Sequence, residues 1–449
     1  MKKITFLILS CCTANFGWAL ECSTPINLSQ KEAILTSRAS MNSQGTAAVV
    51  WVKMLGQNAY SLEASTRAAG NPSWATAQAV SDSMDVLTFL PSVTIDGTCT
   101  IIWSSLNQQK TMQYYYSKKE STNPTWLPGQ AIDYPGLSII RDVIVDFKGD
   151  PLVLASYPGE IPIYSYHYKP NEIVTKLFRD LPKLPRSDEL EAVAPIMLTN
   201  QLGKIVALWG NRIDTGGWVR TLIKDYHFIV SPYEDSEQWG MTRSDIGTLN
   251  FKNIDKDKVK DISGSFNKQG EIAVIWSHFD SESAKYQLKS LINKKTEVIK
   301  DSQEGFTDTA ILMDDNGNAV AVWIQPLKKQ SVVYAAFKPK EKETWQGEPQ
   351  QISNIDNQAE QAQLSFHNGV FVVVWGETDS TKKSSIFGAT LAPKPEMFEW
   401  SPAAKLSPAS QNCWRPSIAF SEKDGIITWT THVKKSTDYQ IQVADLKVP

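Results

Sequence analysis

One spacing constrains this chain more than any other feature: a glycine, five mostly apolar residues, then usually a tryptophan. It occurs as Gly45…Trp51, Gly97…Trp103, Gly149…Ala155, Gly203…Trp209, Gly270…Trp276, Gly317…Trp323 and Gly369…Trp375, with a shortened copy at Gly425…Trp429. The third copy carries Ala155 in the tryptophan place. Copies follow one another at roughly 50 residues, the period of repeated β units rather than of helical hairpins. The interval from Trp209 to Trp276 is longer and requires an insertion. Runs such as Val49-Val50-Trp51, Ile101-Ile102-Trp103 and Val372-Val373-Val374-Trp375 are short, continuous and rich in β-branched residues. They predict strands covered on both faces.

Around each run the pattern predicts three more strands. A short strand ending in Asp-Gly or Asn-Gly precedes it, as in residues 91–97 and 309–317, and reads as a type I′ hairpin. A polar loop and a third strand follow, such as residues 332–337. A lone tryptophan (Trp74, Trp126, Trp345, Trp400) then precedes an outer strand that often ends in serine, at Ser81, Ser353 and Ser407. Four-stranded antiparallel units stacked face to face about an axis give an all-β fold. It is a β-propeller of eight blades, with seven blades plus a degenerate unit as the alternative. Residues 24–29 read as an outer strand without a blade, and residues 439–444 as a third strand with no outer one. The N-terminal strand is expected to complete the last blade and close the ring, which removes open sheet edges. Residues 231–239 and the charged run 255–258 read as a long loop or strand extension of the fourth repeat.

Residues 1–19 read as a secretory signal peptide: Lys2 and Lys3, an apolar core, then Gly17-Trp18-Ala19 as a small-x-small cleavage site. The alternative is a lipoprotein signal with a lipid anchor at Cys11 or Cys12. Residues 20–449 then form one propeller domain in the periplasm, outer envelope or extracellular space. No stretch reaches the roughly 18 apolar residues of a membrane helix. Net charge is −3, so no basic field argues for nucleic acid. Cys22, Cys99 and Cys413 remain after the signal; one disulfide is compatible with export, and its pairing is open.

No local motif carries chemistry. There is no nucleophile elbow, P-loop or HExxH. Asp314-Asp315-Asn316-Gly317-Asn318 lacks the first and twelfth ligands of a calcium loop and reads as a hairpin turn, so no metal or cofactor is expected. The loops after each buried run and the links between units should share one rim. That rim offers Arg212 and Asp214, His278 and Asp280, Glu377 and Asp379, and Trp414 with Arg415 as candidate ligand-binding residues. Carboxylates, arginines and an aromatic suit a glycan or a peptide.

The chain resembles bacterial secreted β-propeller repeat proteins whose units read like residues 315–323, over nearly the whole segment after residue 19. The WD dipeptide, the paired glycines of kelch units and the sialidase Asp-box are absent. The resemblance implies the fold and names no activity. The sequence favours an exported non-enzymatic scaffold that binds a protein or glycan through its rim, because the first strands show no recurring acid at one register. The alternative is a carbohydrate-active hydrolase or lyase with carboxylates at the channel mouth.

Overall fold

The computed structural model describes residues 20–56, 59–82, 85–106, 112–132, 139–156, 163–169, 172–177, 196–200, 204–213, 224–234, 238–239, 244–251, 259–393, 399–433 and 438–449. The signal segment, Cys11, Cys12 and Asp214 lie outside these residues, as does the run 255–258. Every regular element among them is a β-strand, and no helix is long and apolar enough to cross a membrane. The strands form seven antiparallel sheets, one of which holds eight strands. That sheet is two four-stranded sets joined by a single parallel bridge, Ser331 to Gln358. Counted as sets, the described strands fall into eight units. Their first strands are Ile34–Met41, Val86–Val93, Ile139–Val145, Ile196–Thr199, Val259–Phe266, Thr307–Met313, Gln358–His367 and Cys413–Phe420. First strands of successive units pack side by side in most cases, and that of unit 8 packs against that of unit 1.

The apolar runs are the second strands, and their burial explains the tryptophan. Trp51, Trp103, Trp276, Trp323, Trp375 and Trp429 are all fully buried. In three units the indole stacks on the aromatic residue opposite it on the third strand, as Trp103 on Tyr115, Trp323 on Tyr334 and Trp375 on Phe387, with centroids 5.7, 5.9 and 6.4 Å apart. Such cross-strand pairs add to the area they bury. The serine after the outer strand also has a structural reason. Ser81, Ser353 and Ser407 Oγ accept the amides of Leu62, Val333 and Ile386 at 2.8, 2.8 and 2.9 Å, which ends the third strand's outer edge without an orphaned donor.

Ser29 plays the same part for the last unit, accepting from Ile441 N at 2.9 Å. Residues Glu21–Cys22 and Ile26–Asn27 pair antiparallel with the chain's final strand, Tyr439–Lys447, in the register Glu21 to Lys447 and Ile26 to Val443. In unit 4 the third strand runs over Lys224–Glu234, and Gln238–Trp239 and Ser244–Phe251 both pair with it, so part of the inserted stretch is added strand. Cys22, Cys99 and Cys413 are free thiols; burial pushes Cys22 up to about 12 and Cys99 to about 11.

The hairpins differ from the expected type. Gly45, Gly97, Gly149, Gly270 and Gly317 have positive φ, but the residue before each does not. Gly317 N donates to Asp314 O, and Asp314 N to Asn318 O. This is a type I turn closed by a glycine bulge. Only at Asn368-Gly369 do both central residues of an Asn-Gly or Asp-Gly hairpin turn left-handed, at φ 48° and 82°, as type I′ requires. The physical reason lies one residue earlier. The side chain at the turn's first position, Asn42, Asp146, Asn267 or Asp314, accepts two amides of its own turn, and this favours the longer loop.

Candidate functional site

In every unit but the fourth, the first strand has a hairpin turn at one end and a ladder break at the other. The break is a β-bulge, where extra residues oppose the second strand. One residue is extra in units 1, 2 and 3: Leu35, Leu87 and Arg141. In units 5 to 8 two residues, beginning with Asp261, Asp308, Gln361 and Arg415, face one on the second strand, again an excess of one. Those four stand at φ 49°, 50°, 53° and 59°, the left-handed region that side chains rarely adopt. A bulge re-aims a side chain, and strained backbone persists only where its surroundings enforce it. The enforcement is visible: Thr309 Oγ1 donates to Asp261 O at 2.5 Å, Gln361 N to Asp308 Oδ2 at 2.9 Å, and Arg415 Nη1 to Leu35 O at 2.6 Å.

Further along, first strands bind one another through side chains. Met197 N donates to Asp142 Oδ2, Met313 N to Ser265 Oγ, Ile418 N to Gln363 Oε1, and Ala39 N to Ser417 Oγ. These amides point away from their own sheets, so a neighbouring unit supplies the acceptors.

At the bulge end the charges interact. Asp308 is held above the ordinary carboxylate range by partial burial and by the charge of Asp261. Glu360 is also raised, by burial and by Asp308, while Arg415 pulls it back. Both side chains reach water yet sit among protein atoms. Arg38 of unit 1 fits the same description: it is exposed, burial lowers its guanidinium, and it lies 5.7 Å from the ring of Phe89. Asp142 is raised by burial, against two amides that favour its charged form. The same end in units 1 and 2 is apolar, with Leu35, Met54, Leu55, Leu87, Leu106 and Met112 all exposed.

The residues read from sequence occupy varied places. Glu377 is buried and accepts from Trp375 Nε1 at 2.7 Å, Asn354 N at 3.1 Å and Asn357 Nδ2 at 2.7 Å, so its carboxylate is committed to the fold. Asp379 caps its own turn, accepting from Thr381 and Lys383, and these bonds lower its pKa. Asp280 does the same with Ser283. His278 is buried on the second strand of unit 5. Trp414 packs edge-on to Tyr439 at 5.6 Å. Arg212 lies on the second strand of unit 4, paired with Tyr226. Of the eight, the structure sets Arg415 among charged partners at the bulge end. Asp261, Asp308 and Glu360 were not read from sequence; Asp261 and Asp308 hold matching bulge positions in units 5 and 6, while the other bulges begin with Leu, Arg or Gln. The signal available was Asp261 and Asp308 at matching positions before the two glycine turns, 47 residues apart as Gly270 and Gly317 also are.

No protein-family model matches the chain, and no characterised protein matches it in sequence. Solved structures that resemble it include a Dyadobacter fermentans protein of unknown function, with TM-score 0.39 and 11% identity, covering 81% of this chain and 95% of that one. A polysaccharide lyase named as an ulvan lyase gives TM-score 0.46 and 8% identity over 93% of this chain and 95% of the lyase. Trypanosoma rangeli sialidase gives 0.36 and 9% identity over 94% of this chain and 59% of the sialidase, so the chain spans well under two thirds of that protein.

Proposed function

We propose that residues 20–449 form a single exported β-propeller of eight blades, closed by the N-terminal strands, which takes a glycan at its bulge-lined mouth and cleaves it as a hydrolase or lyase. Ring closure is supported by the packing of unit 8 on unit 1 and by the Ala39–Ser417 and Arg415–Leu35 bonds between them. Export is supported by the charged, apolar and small-residue pattern of residues 1–19. In this ring the first strands line the axis and their bulges surround its mouth.

The observation that carries the chemistry is the row Asp261, Asp308, Glu360 and Arg415 on four successive first strands. A carboxyl raised by burial and like charge holds a proton at a pH where its neighbour is ionised. That pairing suits general acid and general base roles in glycosidic bond cleavage. Asp308, raised by burial and by Asp261 and pulled back by no cation among the described residues, is assigned the acid; Glu360, pulled back by Arg415, the base.

The test is turnover across a polysaccharide panel, reading new reducing ends for either reaction and new ultraviolet absorbance for elimination. Asp308→Asn and Glu360→Gln should each lower the rate by about 10²-fold or more. Turnover unchanged in both variants would remove the assignment. A second reading, a non-enzymatic scaffold that binds a protein, is favoured by the six exposed aliphatic side chains on the same end in units 1 and 2. Recovery of a protein partner with no turnover on any glycan would select it.

A further inference from the structure

The segment before Lys31 is held to the body by an unusual set of interactions. Its strands are two residues each, and Glu21, Ser23, Ile26 and Asn27 are exposed. Ser23 N and Leu28 N donate to Asp445 O and Ile441 O at 3.0 and 2.8 Å. Ser29 and Ser23 Oγ accept from Ile441 N and Asp445 N, residues 412 and 422 positions away. Asn27 Oδ1 accepts from Gln442 Nε2 at 3.1 Å, and the oxygen of that same amide accepts the indole N–H of buried Trp429 at 3.0 Å. The anchor is Leu20. It is 4% exposed and sits among Val372, Val374, Leu406, Cys413 and Trp429. Gly388 makes room for it: a Cβ there would lie 2.8 Å from Leu20 Cδ1 and 2.9 Å from Leu406 Cδ1. Besides Leu20, Cys22 and Leu28 pack partly buried against the body; short strands with so few apolar contacts open at far lower free energy than a core does.

We propose that residues 20–29 are a detachable strap, with Leu20 as its plug and Gly388 as the notch, and that the edge of Tyr439–Lys447 exposed by its departure takes the strap of a second copy of this chain. The inference rests on the ring reading, in which the last unit has no outer strand of its own. Every bond along that edge is to backbone or to short polar side chains, so an identical segment from elsewhere reproduces it. Exchange between copies gives a dimer with the same contacts as the monomer.

The test mixes the chain beginning at Leu20 with a fluorescent peptide of residues 20–30. Peptide retained on gel filtration should grow with time, at least 10-fold faster for a chain carrying Leu20→Glu, whose own plug is lost while the notch stays open; neither Gly388→Ala, whose notch is filled, nor a peptide carrying Leu20→Glu should give retention. In a parallel hydrogen-exchange run on the unaltered chain, the amides of Leu28, Ile441 and Asp445 should exchange together and well before those of Ala319–Pro326. No uptake by either the unaltered chain or the Leu20→Glu chain, or exchange of those three amides as slow as the second strand of unit 6, overturns the strap. A compact scattering profile with an unexchangeable strap would overturn it and leave the ring standing; an open, extended profile would overturn the ring.

Discussion

The two ends of the first strands are built from the same chain to opposite ends. At the hairpin end, chemistry repeats. Asn42, Asp146, Asn267 and Asp314 occupy one position, each satisfies its own turn, and Asn42 and Asn267 also reach across with their side-chain amides to the carbonyls of Thr94 and Asp314 in the next unit. At the bulge end, geometry repeats and chemistry varies: Leu35, Leu87, Asp261, Asp308, Gln361, Arg415. Repetition of a side chain at a repeated place marks a structural need. A repeated place with changing side chains leaves the residue free for something else.

The largest expected effect lies beneath both ends. Trp323→Ala should cost about 3–5 kcal/mol, read from chemical denaturation, since a fully buried indole leaves a cavity. A midpoint that barely moves would undo the burial on which both ends depend. Next is Glu377→Ala, which strands three donors around a buried carboxylate site and should cost about 3 kcal/mol. It should leave mouth chemistry intact in whatever protein stays folded; selective loss of ligand would move Glu377 from scaffold to site. Asn267→Ala removes the turn's acceptor and its link to Asp314, for about 2 kcal/mol and no change in ligand affinity.

The smallest stability effect is expected at the bulge end, and its sign is diagnostic. The folded pKa of Asp308 lies above its unfolded value. Above both values the folded state holds a charge it has partly desolvated. As pH falls through the folded pKa, the folded state takes up its proton first and stability rises. Asp308→Asn removes that rise, so stability should fall more steeply toward acid in that window, with neutral-pH stability changed by no more than about 0.5 kcal/mol. Asp379, lowered by its turn, behaves in reverse: its contribution is present above the unfolded pKa and is lost as pH falls through the folded one. An acid limb made shallower in Asp308→Asn would contradict the electrostatics assigned to the bulge end.

Much of the scaffold was legible because its causes are local. The five-residue spacing from glycine to tryptophan, the serine after each outer strand and the unpaired strands at the termini each report an interaction repeated from unit to unit. The turn type was misread because the deciding bond comes from Asp314, one residue ahead of the Asp315-Asn316-Gly317 stretch. The bulge end was largely hidden. A bulge shifts register by one residue both at Leu35 and at Asp308, so alternation along the strand cannot place these side chains. Their meaning also depends on neighbours in other units, as Glu360 depends on Arg415 some 55 positions later. Glu377 and Asp379 looked functional because loop acids do, until their donors were located in the same turns.

The most direct measurement compares four variants on one glycan panel: Asp308→Asn and Glu360→Gln at the bulge end, Asn267→Ala and Glu377→Gln in the scaffold, with stability recorded for each. The bulge-end pair should lose turnover by about 10²-fold or more while unfolding with the parent, and the scaffold pair should lose stability while retaining turnover per folded molecule. The opposite partition, with turnover surviving at Asp308 and Glu360, would place the functional site elsewhere on the molecule.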